Sequence, residues 1–150
     1  MNIQVDRDNI DTYVESIYIL IQGFKDRGNI KFANFNKEVF TNSIKVFSGS
    51  SLASIFISIE GDVLEGVICV AIYPCIFSGD LVADELFWYA NKNGIQLLKH
   101  VEKYCKSRKI ERIYMGSLAM INKERMDALY KRMNYQLVDL KYMKILNGGD

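Results

Sequence analysis

The chain contains one proline, Pro74, and one histidine, His100, in 150 residues. With no Pro-rich stretch to act as a linker, and with 8 Phe and 9 Tyr available for a core, the composition opposes disorder. A single domain over residues 1–150 is expected. The lone histidine has no cysteine or carboxylate at ligand spacing, so no metal site is expected, and His100 reads as a solvent-facing helix residue. Cys69, Cys75 and Cys105 form no C-x-x-C pair; an odd count beside an N-terminus that does not read as a secretory leader predicts reduced thiols in a cytoplasm. Apolar runs are too short to cross a bilayer. Neither sign of charge dominates, with 19 basic against 18 acidic residues, so neither nucleic acid nor a membrane is expected as the main partner. The basic run Lys99, Lys103, Lys106, Arg108, Lys109 reads as a solvated helix face.

Hydrophobic periodicity supplies the elements. Ile3 and Val5 suit a short strand. Asp8 is placed to cap a helix carrying Ile10, Tyr13, Val14, Ile17, Ile21 and Phe24, which Gly28 stops. Asn36 caps a second helix with Val39, Phe40, Ile44 and Phe47. The period then drops to two: Ile55, Ile57 and Ile59 alternate with smaller or opposed residues, Glu60-Gly61-Asp62 turns the chain, and Val67 to Tyr73 returns as the second arm of a hairpin. A further strand covers Asp84 to Ala90. An amphipathic helix follows, with Ile95, Leu98, Val101 and Cys105 in one stripe, widened by Leu97 and Tyr104. Ile113 to Met115 is a short strand, and Asn122 caps a last helix with Met126, Leu129, Tyr130 and Met133. Asn134 occupies its left-handed end, and Leu137 to Ile145 is read as a final strand. The order β-α-α-β-β-β-α-β-α-β predicts an α/β (α+β) fold, a mixed and mostly antiparallel sheet with about four helices on its two faces.

The chemistry is concentrated after the strand Glu85-Leu86-Phe87-Trp88-Tyr89-Ala90. The Gly-bearing turn Asn91-Lys92-Asn93-Gly94 leads straight into a helix, whose free N–H groups and dipole suit an anion, and Gly94 would admit a phosphate to the backbone. No Walker lysine-serine pair and no complete G-x-G-x-x-G is present, which opposes nucleoside triphosphates and dinucleotides.

Four segments carry a family resemblance: Leu64-Glu65-Gly66-Val67-Ile68; Glu85 to Ala90; Gly94-Ile95-Gln96-Leu97-Leu98 with Glu102 and Tyr104; and Ala128 to Tyr135 followed by Tyr142-Met143-Lys144. Together with the element order, the chain resembles the GNAT superfamily of N-acyltransferases, and among them the short GNAT-like proteins of bacteriophages. The likeness covers residues 50–145 well and the N-terminal helices by position. It implies a central strand splayed from its neighbour, with Trp88, Tyr89 and Ala90 holding the pantetheine and acyl carbonyl of acetyl-CoA. Lys92, Asn93, Gly94, Ile95 and Gln96 would hold the pyrophosphate. Glu85 would be the general base for an amine acceptor, a role that requires burial to raise its pKa, and Tyr130 the proton donor to the departing thiolate. Each has a second reading: Tyr130 shares an apolar stripe with Met126 and Met133, and Glu85 could be an ion-pair residue.

The family's phosphate loop reads Gln or Arg, two residues, Gly, one residue, then Gly or Ala. Here the loop is shorter, its first arginine and one glycine are missing, and Lys92 is the only cation in it. Two functions follow. The first is acetyl transfer from acetyl-CoA, used as co-substrate without a metal, to a primary amine by direct attack in a ternary complex. The acceptor would be a small molecule, a protein lysine or N-terminus, or a modified nucleobase, with acceptor choice around residues 26–35 and 116–123. The second is a catalytically inactive GNAT-fold protein, phage-encoded and docking on a host protein in the host cytoplasm. A homodimer fits the habit of the family.

Overall fold

The alternating isoleucines build the centre of the molecule. In the computed structural model, which describes residues 1–28, 35–117, 123–142 and 144, they lie in β2 (Ala53–Glu60). The turn Gly61-Asp62 returns the chain into β3 (Val63–Pro74). β1 (Asn2–Val5) pairs antiparallel with β2, β2 with β3, and β3 with β4 (Leu81–Ala90). β5 (Arg112–Tyr114) joins β4 in parallel, so the sheet order is β1-β2-β3-β4-β5.

Because side chains alternate across a strand, each face of this sheet needs its own cover. On one face Val5, Ile55, Ile57, Val67 and Cys69 are buried with Ile10, Ile17, Leu20 and Ile21 of α1 (Ile10–Gly28) and Ile44 of α2 (Lys37–Ser48). Each such aliphatic side chain contributes about 1.5–3 kcal/mol when removed from water. Two ion pairs, Lys37–Glu15 and Lys45–Asp11, both 2.6 Å, join α1 and α2 on the exposed side. On the other face lie Phe56, Ile68 and Val70, with Leu97, Leu98, Val101 and Cys105 of α3 (Gly94–Ser107). There Phe56 meets the Tyr104 ring edge-on at 4.9 Å, and the Ser54 hydroxyl is 2.9 Å from the Tyr104 hydroxyl.

The chain divides into two compact units, Met1–Gly116 and Ser117–Asp150. The second contains α4 (Lys123–Arg132); Asn134 adopts the left-handed conformation expected of it, with φ 64°. The cap expected at Asn122 lies outside the described residues.

Three expectations are corrected. α1 begins at Ile10 rather than after a cap at Asp8, because the Asp6 carboxylate accepts the N–H groups of Asp8 (3.0 Å) and Asn9 (3.3 Å) and holds them in a turn. His100 is half-buried, its ring edge-on to Phe56 at 5.7 Å, since its position on α3 faces the sheet. Residues 137–142 form no strand: Leu137, Val138, Leu140 and Tyr142 are exposed, and the Asp139 carboxylate takes the Leu140 N–H at 2.7 Å. A local bond of this kind competes with a ladder for the backbone.

Candidate active site

β4 and β5 stay together only briefly. Their parallel pairing runs Val82↔Arg112, Ala83↔Ile113, Asp84↔Tyr114 and stops. From Glu85 to Ala90 the strand keeps β3 on one side, and among the described residues no strand lies on the other. A strand edge with no described strand beside it is where an extended ligand can add as a strand would. Just past the paired residues the Glu85 carboxylate accepts the Gly116 N–H at 2.8 Å, so a side chain bridges the place where the ladder ends. Glu85 is half-buried there.

A bulge in β4 sets what faces each way. Cys69 pairs with Phe87 but Val70 pairs with Glu85, which leaves Leu86 as an extra residue, 47% exposed. Bulges re-aim the side chains beyond them. Phe87 and Tyr89 point to the α1–α2 face, where they meet Phe40 (5.9 Å) and Phe24 (4.6 Å). Trp88 and Ala90 lie on the α3 face, against the start of that helix.

The turn into α3 is anchored on both sides. The Asn91 N–H donates to the Glu65 carbonyl at 2.7 Å. The Lys92 ammonium lies 3.4 Å from Glu60 and 3.5 Å from Glu65, which raise its pKa above the ordinary lysine value, so its charge is shared with two carboxylates. Asn93 turns the chain with φ 58°, a left-handed conformation that asparagine tolerates, and its side chain makes no cap bond. The first amides of α3, on Gly94, Ile95 and Gln96, are therefore left without that cap, as an anion site requires. Gly94 also has a packing role. A Cβ there would meet Ala90 Cβ at 3.2 Å and Trp88 Cζ2 at 3.4 Å, so this glycine serves the close approach of α3 to β4.

The sequence reading missed Arg27. It lies in the last turn of α1, and its Nη2 donates to the Tyr89 hydroxyl and to Asn91 Oδ1 (3.1 Å). Tyr89 in turn donates to Asn91 Oδ1 at 2.8 Å. No local pattern announces a contact spanning 62 positions.

In the second unit Tyr130 is half-buried on α4, its ring 5.4 Å from that of Tyr135. Residues 29–34 and 118–122, which hold most of the segments expected to choose an acceptor, lie outside the described residues. Among the described residues no group of three or more His, Cys, Asp or Glu could hold a metal, and no helix is long and apolar enough to cross a membrane.

Comparison with known proteins rests on shape. No protein-family model matches the chain, and no curated protein matches it in sequence. Among solved structures, a protein described as a probable acetyltransferase superposes with a TM-score of 0.74 at 11% identity, covering 100% of this chain and 99% of its own. An aminoglycoside acetyltransferase from an uncultured soil metagenomic sample, in complex with sisomicin, also gives 0.74, at 10% identity over 98% and 96%. The ribosomal-protein-alanine N-acetyltransferase of Brucella melitensis gives 0.67 at 10% identity over 97% and 98%. The chain has the GNAT fold. The parallel β4–β5 pairing ends at Asp84 and Tyr114, and β4 continues to the start of α3, which has no side-chain cap bond. Identities this low establish the architecture; activity has to be argued from the site.

Proposed function

We propose that the chain is an acyl-CoA-dependent N-acyltransferase that moves an acetyl group from acetyl-CoA to a primary amine by direct attack in a ternary complex. One observation carries the reading: beyond the short β4–β5 pairing, β4 runs on from a carboxylate, Glu85, to the side-chain-uncapped start of α3. That combination suits a long ligand with an extended amide-bearing arm and an anionic end. Acetyl-CoA supplies the acyl group as a thioester. The backbone of Trp88, Tyr89 and Ala90 binds the arm, and the amides of Gly94, Ile95 and Gln96 bind the pyrophosphate, with Asn93 shaping the turn. Lys92 ties that turn to the hairpin through Glu60 and Glu65 and offers a share of its charge.

Glu85 takes the proton that the amine must lose as its nitrogen attacks the carbonyl carbon. As the C–S bond breaks, Tyr130 gives its proton to the sulfur, so a thiol and an amide leave. Positioning the two reactants in one gap supplies much of the rate. The acceptor is an amine-bearing small molecule or a protein lysine or N-terminus, and the site of action is cytoplasmic.

A second reading is a catalytically silent GNAT-fold binding protein, phage-encoded and directed at a host protein. It is favoured by the three-residue turn between β4 and α3, whose one cation is paired with two carboxylates. The test is thiol release from acetyl-CoA with a panel of amines. The panel would start with an aminoglycoside and an alanine-terminated peptide, the acceptors named for the structural neighbours. Amine-dependent release that falls in Glu85→Gln and Tyr130→Phe supports the transferase. Binding of acetyl-CoA with no release to any amine favours the silent protein.

A further inference from the structure

We propose that Arg27 is a phosphate-binding residue, delivered from α1 to the β4–α3 turn and contacting a phosphate of the acyl-CoA co-substrate; this rests on the acyltransferase reading above. The turn has no arginine of its own, and its lysine is engaged by Glu60 and Glu65. Arg27 is a cation at the same end of β4 whose partners among the described residues are neutral. Its Nη2 donates to the Tyr89 hydroxyl and Asn91 Oδ1, and its guanidinium carbon lies 5.4 Å from the Tyr89 ring centroid. Among the described residues no carboxylate pairs with it, whereas Lys37, Lys45, Lys92 and Arg112 all have acidic partners.

The arrangement is prepared for an anion. Tyr89, under the guanidinium, packs on Phe24 at 4.6 Å between ring centroids and donates its own bond to Asn91. Both of these bonds use Nη2, so the Nη1 and Nε N–H groups remain as donors that an anion can take up singly. Asn91, which Arg27 grips, opens the turn, and Gly94 begins the uncapped amides three residues later. That stretch of chain spans at most about 10 Å. A pyrophosphate on the amides thus has a guanidinium within reach of its neighbouring oxygens or of a second phosphate.

The test is calorimetric titration of the wild type, Arg27→Gln and Arg27→Lys with acetyl-CoA and with acetyl-pantetheine, which lacks every phosphate. Arg27→Gln is expected to weaken acetyl-CoA about tenfold or more, as for a lost hydrogen bond to a charged group, and to leave acetyl-pantetheine unchanged. Its loss of affinity should shrink in high salt. Arg27→Lys, which keeps the charge but not the fork, should fall between. Wild-type binding of acetyl-CoA with Arg27→Gln equal to it would overturn the inference alone. Equal weakening of both ligands, with a lowered melting temperature, would make Arg27 a tether of α1 and overturn it as well. No acetyl-CoA binding to the wild type at millimolar concentration would overturn the acyltransferase reading, and this inference with it. Should Arg27→Gln fail to fold, the comparison of the two ligands on Arg27→Lys decides.

Discussion

Glu85 Oε2 accepts the backbone N–H of Gly116 at 2.8 Å, immediately past the last paired residues of β4 and β5, Asp84 and Tyr114. A carboxylate therefore stands where the parallel pairing ends, bonded to the chain that leaves β5.

The first prediction uses that bond. Glutamine at 85 keeps a carbonyl oxygen for the Gly116 N–H but cannot take a proton from an amine. Glu85→Gln should change stability by no more than about 0.5 kcal/mol and lower the acyl-transfer rate about a hundredfold or more. Urea unfolding and steady-state thiol release measure the two. Loss of rate and stability together would give Glu85 a structural role only.

Gly66 is a packing glycine. A Cβ there would lie 2.7 Å from Ser58 Oγ, 2.9 Å from Ala90 Cβ and 3.2 Å from Leu97 Cδ2, in the space between the sheet and α3. Gly66→Ala should cost about 1–3 kcal/mol as an overpacked core position. Because the displaced groups are Ala90 and the first turn of α3, acetyl-CoA binding should weaken as well. Denaturant unfolding and ligand titration on the same preparation check this.

The amides of α3 can be removed one at a time. Proline is tolerated in a first helical turn, where its missing N–H has no intrahelical partner. Gln96→Pro should keep the helical circular dichroism of the wild type and lose about tenfold in acetyl-CoA affinity, the order expected for one hydrogen bond to a charged group. Unchanged affinity would remove the Gln96 amide from the site.

The thiols report on the core. Burial pushes Cys69 from 9.0 up to about 12 and Cys105 up to about 11, so the native state holds both protons after the unfolded chain has released them. The stability they support is complete below pH 9 and is lost as the pH rises from 9 towards those values, by up to about 1.4 kcal/mol per pH unit for each thiol. Cys69→Ala should flatten the fall in unfolding free energy between pH 9 and 11. Cys75 behaves oppositely: the Phe77 backbone and then the Ser78 hydroxyl and backbone hold it below the ordinary thiol value, with the Arg112 charge assisting. A thiol reagent should label Cys75 first and the other two only on unfolding.

The sequence is most legible where one strand or helix carries its own period. Ile55, Ile57 and Ile59 announce β2, the stripe through Leu98, Val101 and Cys105 announces α3, and Asn36 accepts the Val39 N–H as a cap should. What stayed hidden belongs to pairs of elements. The extra residue Leu86 exists only in the register between β3 and β4, and no period in β4 alone marks it. The packing of Gly94 against Ala90 and Trp88 is visible only once α3 is laid on β4. Arg27 joins Tyr89 and Asn91 across most of the unit, so its place at the site is a consequence of the fold. The alternation after Leu137 described a face that is exposed among the described residues, and Asp139 takes the Leu140 N–H locally.

The central claim is that the open edge of β4 and the start of α3 bind an acyl-CoA. Calorimetric titration of the purified protein with acetyl-CoA tests it most directly. Micromolar binding of one molecule per chain, weakened by Gln96→Pro, is the result this account expects. No heat of binding at millimolar acetyl-CoA would contradict it and leave a GNAT fold that serves another ligand.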